Sequence, residues 1–521
     1  MSVVSVILKS DGKVVKADHQ LIYLDIVKEF NKIPLAELRF KGGDISRKEF
    51  EILDEGWFDI GKKVDVAVSY ADGTEKEEFS GIVVNHSLEL SHNAATLMVE
   101  LSGKAIAMTK ERHHTVFNQE KDEDIINKII GKYKPELVSK VATTTQKHPE
   151  MVQYYVSDWD FMLCRAAANG QLVYAENDRV STIIPKIDGQ DNSLELGMDQ
   201  IYDFDLQVDG RSEYNKGESV GWEAHKQELA KAKTAKVQSK PTAIDNTWSK
   251  AREMKSTLAL MRGSIKLQGS GKWKVGQVLK IAGFSKKYSG ANIITGIRHQ
   301  LSVQNWTTHL QLGMDAEWLN SQIDFTDSHI GGVVPAINGL QTGVIRAFEK
   351  DPNNEWRVKV YIPAFGAGSS PVWARYASPD AGDERGFFFR PELDDEVVIG
   401  FLNDDPLQPI ILGAMHSAAN KPPVKVSKEN AQKGIITKSG YKLLFDDVEK
   451  TILLSGKNNR IYINDEEGTI SMDDAHGNQL LMGSDGITIN SSKDLKMTAK
   501  GNLSIEAKKN ISIKGKKVDL I

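Results

Sequence analysis

An apolar–polar–apolar triplet returns every eight residues near the C-terminus of this chain: Ile487-Thr488-Ile489, Leu495-Lys496-Met497, Leu503-Ser504-Ile505 and Ile511-Ser512-Ile513. A fifth triplet, Val518-Asp519-Leu520, comes one residue early. In an extended chain the outer two side chains of each triplet share one face. Gly486, Asp494, Asn502 and Asn510 each precede a triplet, and these residue types tolerate a left-handed corner. Each block therefore reads as a short strand, a corner and a solvated stretch. Two apolar side chains cannot bury their own face, so repeats this short must stack. One chain stacking five blocks encloses a thin core, whereas three chains about a common axis bury every triplet. The pattern predicts a trimeric needle, a triple-stranded β-helix or β-prism. Its core would be Ile487, Ile489, Leu495, Met497, Leu503, Ile505, Ile511 and Ile513. An ordinary antiparallel meander is the alternative.

Upstream the same triplets are spaced less evenly, at 443–445, 452–454, 461–463, 470–472 and 480–482. Residues 1–110 alternate apolar and polar over 3–8, 20–27, 35–40, 63–70, 78–84 and 96–102, with turn residues between, as in a small barrel or sandwich. Asp122-Glu123-Asp124 opens a helix burying Ile125, Ile126, Ile129 and Ile130. A second helix starts with Ser157 or Asp158 as its N-cap and ends at Asn169-Gly170. Residues 222–235 are rich in Ala, Lys and Glu and predict an exposed helix. Residues 246–261 predict a helix capped by Asn246 that buries Trp248, Ala251, Leu258 and Met261. Strands follow at 264–267, 278–282, 291–297 and 307–312, and a compact all-β unit spans 340–417 after the linker 331–339. The chain thus reads as mainly β with small α insertions. It divides into a first barrel-like domain (1–115), an α/β insertion (116–190), a second barrel-like domain with helices (191–330), the 340–417 unit and the needle (440–521).

At 521 residues several domains are the prior. A net charge of −5 gives no pull toward nucleic acid, and no apolar run is long enough for a membrane helix. The N-terminus lacks the basic start and cleavage site of a signal peptide. Cys164 is the single cysteine and reads as a structural thiol, so intrachain disulfides are excluded. Residues 491–521 hold eight Lys against three acids, which reads as the solvated outside of a narrow fibre, with a basic tip suited to an anionic surface as the alternative.

Three stretches resemble one family, the hub-and-spike proteins of contractile injection machines, known as VgrG in type VI secretion. Gln153-Tyr154-Tyr155-Val156-Ser157-Asp158-Trp159-Asp160-Phe161, followed by Arg165 and Gly170, is similar to the family's hub signature, carried here by Tyr154, Ser157, Asp158, Trp159 and Phe161. Trp356-Arg357-Val358-Lys359-Val360, Trp373-Ala374-Arg375, Pro391-Glu392, Asp395-Glu396-Val397 and the run from Asp405-Pro406 to Gly413 resemble the spike's OB-fold. The stretch 440–447 resembles the start of a spike needle. The resemblance implies two hub domains per chain, a homotrimer seated on a hexameric tail-tube protein, an OB-fold collar and an outward needle. It implies baseplate proteins and effectors as partners, with a separate tip protein of the PAAR type seated on Val518, Leu520 and Ile521. It also implies assembly in the bacterial cytoplasm and transient passage into a target membrane on firing. We expect no lytic domain between collar and needle and no toxin extension. Nor is an enzyme, cofactor or nucleic-acid role expected. A glycan-binding or glycan-cleaving tailspike is the alternative, although no Trp, Tyr or Phe occurs from Ile487 onward.

Other motifs read as structure. Gly269-Ser270-Gly271-Lys272 lacks the upstream Gly of a phosphate loop, with Lys266 in that place and Trp273 where Ser or Thr belongs. His113-His114 has no ligand partner at metal spacing. Asp473-Asp474-Ala475-His476-Gly477, Asp394-Asp395-Glu396 and Asp404-Asp405 fall where turns are expected.

Overall fold

The computed structural model describes residues 4–43, 47, 49–71, 73, 76–91, 94–211, 220–223, 227–231, 246–302, 305–315, 317 and 334–519. The chain forms two units, Met1–Ser328 and His329–Ile521.

In the first unit the alternating segments form a thirteen-stranded sheet. Lys63–Tyr70 shows why: Val64, Val66, Val68 and Tyr70 point inward and the residues between them outward. The sheet runs in the order Ile201–Val208, Met261–Gln268, Asn305–Leu312, Gly290–Ser302, Leu21–Glu29, Leu35–Gly43, Ala94–Ser102, Glu77–Ser91, Lys63–Tyr70, Val4–Ser10 and Lys13–Val14. Val278–Ala282 branches from Gly290–Ser302 and pairs with Asn192–Glu195. Early and late halves of the unit meet where Leu21–Glu29 pairs antiparallel with Gly290–Ser302, from Tyr23 opposite Ser302 to Glu29 opposite Gly296. Trp306, from the late half, is buried in the same core as Leu24, Leu38, Phe40 and Leu97.

The helices Asp122–Gly131 and Asp158–Ala168 pack over a separate core, and all four predicted isoleucines of the first helix are fully buried. The predicted helix over 222–235 is corrected: Val220–Glu223 and Glu228–Lys231 are strands of a hairpin closed at Gln227, whose φ is +52°. Helix propensity of Ala, Lys and Glu is a weak preference that strand pairing overrides; residues 232–235 lie outside the described set. The helix Asn246–Leu260 buries Ala251 and Leu258, while Met261 is only half-buried and opens the next strand. Trp248 lies among residues whose side chains are not described, and residues 331–333 of the first linker are likewise outside the described set.

The second unit holds a closed five-stranded barrel of Gln341–Ala347, Val358–Tyr361, Val372–Tyr376, Pro409–Ala414 and Glu396–Phe401. Ile345, Val358, Val360, Ala374, Val397, Ile399 and Ile411 fill it. Trp356 lies ahead of the strand Val358–Tyr361. Its φ is +60°, and it is largely exposed. Beyond the barrel, Gln432–Ile436, Lys442–Asp446, Thr451–Ser455, Arg460–Asn464, Thr469–Asp473, Gln479–Gly483 and Gly486–Asn490 form a seven-stranded antiparallel sheet, each strand paired with its sequence neighbours. The five irregular triplets and the first regular one thus lie in a meander. No strand is formed among the described residues from Ser491 to Asp519.

Candidate functional site

The expected hub residues divide into a buried set and an exposed set. Ser157 caps the helix Asp158–Ala168, its Oγ accepting from the Asp160 amide at 3.1 Å. Asp158 is fully buried. Its carboxylate accepts from Lys132 Nζ at 3.0 Å, Tyr133 OH at 3.0 Å and Gln153 Nε2 at 2.8 Å. Burial, with Asp158 beside it, pushes the Tyr133 phenol well above its ordinary value. Trp159 and Phe161 are core residues, and Phe161 stacks on Phe117 at 6.1 Å between centroids. The Asp158 carboxylate therefore joins the preceding helix, the strand Lys147–Ser157 and its own helix. Nothing here is open to a substrate. Tyr154 is on the outside. A register shift between Gln153 and Val156 bulges the strand there, with Tyr155 at φ +43°. Both tyrosines pack against His114 at 5.3 Å.

A second buried carboxylate explains Arg165. Asp122 accepts from Arg165 Nε at 2.7 Å, from Asn169 Nδ2 at 2.7 Å and pairs with His148 Nε2 at 2.9 Å. Burial opposes ionisation of Asp122, but these donors outweigh it and hold the carboxyl well below its usual range. Gly170 takes φ +67° as the helix ends, and a Cβ there would press on Ala251. Cys164 is half-buried, and burial raises its thiol pKa, as for a structural cysteine.

At the sheet junction Glu77 is buried beside two lysines and a histidine. It pairs with Lys28, with Lys274 at 3.2 Å and lies 3.7 Å from His299 Nε2. Lys28 also donates to the Glu78 carbonyl at 2.8 Å. Burial disfavours the Glu77 charge, and the three neighbours more than compensate, so its pKa is lowered. The Gly269-Ser270-Gly271-Lys272 motif lies beside this centre as a packing device. A Cβ on Gly269 would overlap the Trp306 ring, and one on Gly271 would overlap the Lys76 carbonyl.

In the second unit the remaining acidic motifs serve turns. Asp474 accepts from the His476 and Asn478 amides at 2.8 and 2.9 Å. Asp395 accepts from the Glu392 amide at 2.8 Å, and Asp394 pairs with Arg346 at 2.6 Å. Among the described residues no group of three metal-ligating side chains is assembled.

Cross-strand register in the meander aligns every triplet. Phe445 lies opposite Ile452, Ile452 opposite Ile463, Ile463 opposite Ile470, Ile470 opposite Met482 and Met482 opposite Ile487. Leu443, Leu454, Ile461, Met472, Leu480 and Ile489 form the second row. One face of six strands is thus wholly apolar, and it is uncovered: Phe445, Leu454 and Met472 are exposed, and Ile487 is 68% exposed. Leu495, Met497, Leu503, Ile505, Ile511, Ile513 and Val518 are exposed too, outside any strand. Leu520 and Ile521 lie outside the described residues.

The model of the family described as the Alg8 N-terminal domain matches residues 1–243 and 234–303, more than half of the chain. The model of the type VI secretion system/phage-baseplate injector OB domain matches residues 341–416, which include the whole closed barrel. The actin cross-linking toxin VgrG1 of Vibrio cholerae is 41% identical over 71 residues, 13% of this chain and 6% of that protein. The type VI secretion system spike protein VgrG3 of Vibrio cholerae is 34% identical over 104 residues, 18% of this chain and 10% of that protein. The chain therefore spans no more than 10% of the length of these relatives. Among solved structures, the c3393 protein of E. coli is described as a type VI secretion component similar to T4 bacteriophage tail proteins gp27 and gp5. It superimposes over 78% of this chain and 99% of its own, at 12% identity and a TM-score of 0.42. A mainly β chain with an injector OB barrel and these relatives is a VgrG-like protein. By the family model that matches more than half of it, the chain belongs to the Alg8 N-terminal domain family.

Proposed function

We propose that the chain is the structural, non-enzymatic spike of a contractile injection machine and works as a homotrimer. The observation that carries this is the uncovered apolar face of the meander, continued by the row from Leu495 to Val518. Half-exposed Leu and Ile side chains each gain about 1 kcal/mol on burial. Some fifteen of them per chain outweigh the roughly 4–15 kcal/mol that association costs. Three copies would wind the row into the needle expected from the repeat, with inter-chain strand pairing over 491–519 and the eight named core residues inside. Such a fibre is stiff because its backbone hydrogen bonds and apolar contacts both cross between chains.

In this reading the first unit sits on the tail tube within the baseplate. Val518, Leu520 and Ile521 seat a separate tip protein, effectors travel with the particle, and the needle crosses the target membrane when a sheath contracts. Assembly takes place inside the producing cell. The test is the solution mass of the full chain by light scattering. Three times 57.8 kDa is expected; a stable monomer that binds a hydrophobic dye through the open face would refute the reading.

A further inference from the structure

An open pocket of about 430 Å³ lies on the face of the large sheet turned away from its core. Strand register sets its floor. Lys9 stands opposite Asp65, and Asp65 opposite Ser80; in the next row Ile7 stands opposite Ala67, and Ala67 opposite Glu78. Such cross-strand partners share a face, and the small Ala67 leaves a hollow in the middle of these two rows. Two further elements wall it. One is the short 3-10 helix Lys104–Thr109, which contributes Lys104. The other is the turn between the paired strands Leu172–Glu176 and Arg179–Ile183. Asn177 takes φ +53° in that turn, and its Oδ1 accepts from the Ser80 amide at 3.1 Å, which holds the turn against the sheet.

The hydrogen-bonding capacity of this pocket is lopsided. Asp65 accepts from Ser80 Oγ at 2.6 Å and pairs with Lys63 at 3.1 Å, and Glu78 pairs with Lys76 at 2.5 Å. The side-chain oxygen of Asn177 is spent on Ser80. Donors are left over: the ammonium groups of Lys9 and Lys104 and the Asn177 side-chain amide have no partner among the described residues. Asp178, exposed in the turn, is the one acid of the lining without a partner there. Four lysines thus face three acids, in a chain whose net charge is −5. A ligand that accepts without donating satisfies this set, and such a ligand is an anion. A carboxylate balances one lysine, whereas a phosphomonoester, at a charge of about −2, balances both. The half-exposed Ile7 beside Ala67 adds an apolar side, and the volume is that of a small molecule rather than a single ion.

We infer that this pocket binds an organic phosphate, with the phosphate between Lys9 and Lys104 and its carbon skeleton on Ile7 and Ala67. The site lies wholly within the first unit, so it stands or falls separately from the trimeric needle.

The test titrates glycerol phosphate into the full chain by calorimetry. A second arm floats the chain with vesicles containing phosphatidic acid, which carries the same phosphomonoester on a lipid. Saturable uptake of glycerol phosphate is expected, weakened about tenfold by Lys9→Gln or by Lys104→Gln. Both variants should melt as the parent chain does, because neither side chain has a partner to lose. Flotation that the same variants abolish, without uptake of glycerol phosphate, assigns the phosphate to a lipid headgroup. No binding in either arm, or binding that both variants retain, overturns the site. Acetate binding as tightly as glycerol phosphate overturns the choice of phosphate.

Discussion

Glu77→Gln is the most informative single change in the first unit. The amide keeps the volume of the side chain and removes its charge. Lys28, itself buried, then loses its closest counter-ion and keeps the Glu78 carbonyl at 2.8 Å and Glu176 at 3.5 Å. Lys274 is half-exposed and can turn to water, and His299 is neutral, so the cost falls on Lys28. Breaking a buried pair from one side costs about 3–5 kcal/mol. At 1.4 kcal/mol per tenfold, that is roughly a 100- to 4,000-fold change in local opening. Because the junction joins early and late strands, the change should appear as lost amide protection in Leu21–Glu29 and Gly290–Ser302 of the full chain, with the OB barrel unaffected. Lys28→Met added to Glu77→Gln should restore most of the protection, since an apolar replacement of the pair is nearly neutral. A loss below about tenfold, or a double variant as unprotected as the single, would refute the view of this centre as the clamp of the junction.

Asp122→Ala strands Arg165 and His148 in the helical layer and should cost about 3–5 kcal/mol, read as faster proteolysis between residues 112 and 170. Gly271→Ala drives a methyl into the Lys76 carbonyl and should lower stability by about 1–3 kcal/mol, measured by thermal melting. His299 is held at about 4, against an ordinary 6.5, because burial disfavours the imidazolium while Glu77 pulls the other way. The unfolded chain takes up that proton below pH 6.5 and the native state does not. The junction should therefore weaken by ~3 kcal/mol as pH falls from 6.5 to 4, and His299→Gln should flatten that part of the hydrogen-exchange profile. Leu495→Asp with Ile505→Asp buries charges in the proposed needle core and should lower the mass seen by light scattering; an unchanged trimer would place the core elsewhere.

Most strands were legible because one-sided burial writes itself as alternation: Val64, Val66 and Val68 are enough to place Lys63–Tyr70. Ser157 and Asp122 announced their helices for equally local reasons. The electrostatic centres were not legible. Lys28 meets Glu77 across 49 positions and Lys274 meets Glu77 across 197, and no local pattern marks partners so far apart. Arg165 and Gly170 were visible only as part of a resemblance, and their tasks emerge from Asp122 and Ala251. The 220–231 hairpin was missed because its composition favours helix while its pairing does not. The positive φ of Trp356 was not legible either, because a bulky residue there is an exception that alternation does not encode.

The spacing of the C-terminal strands bears on how copies could find their alignment. A strictly repeating sequence is degenerate: chains offset by one block still lay triplet against triplet, just as a slipped zipper still closes. The strands beginning at Lys442, Thr451, Arg460, Thr469, Gln479 and Gly486 advance by nine, nine, nine, ten and seven residues before the eight-residue step takes over. Against that uneven scale an offset of eight mismatches every upstream rung. In the proposed trimer the irregular rungs would therefore work as a vernier, selecting one alignment from the several that the regular blocks would accept.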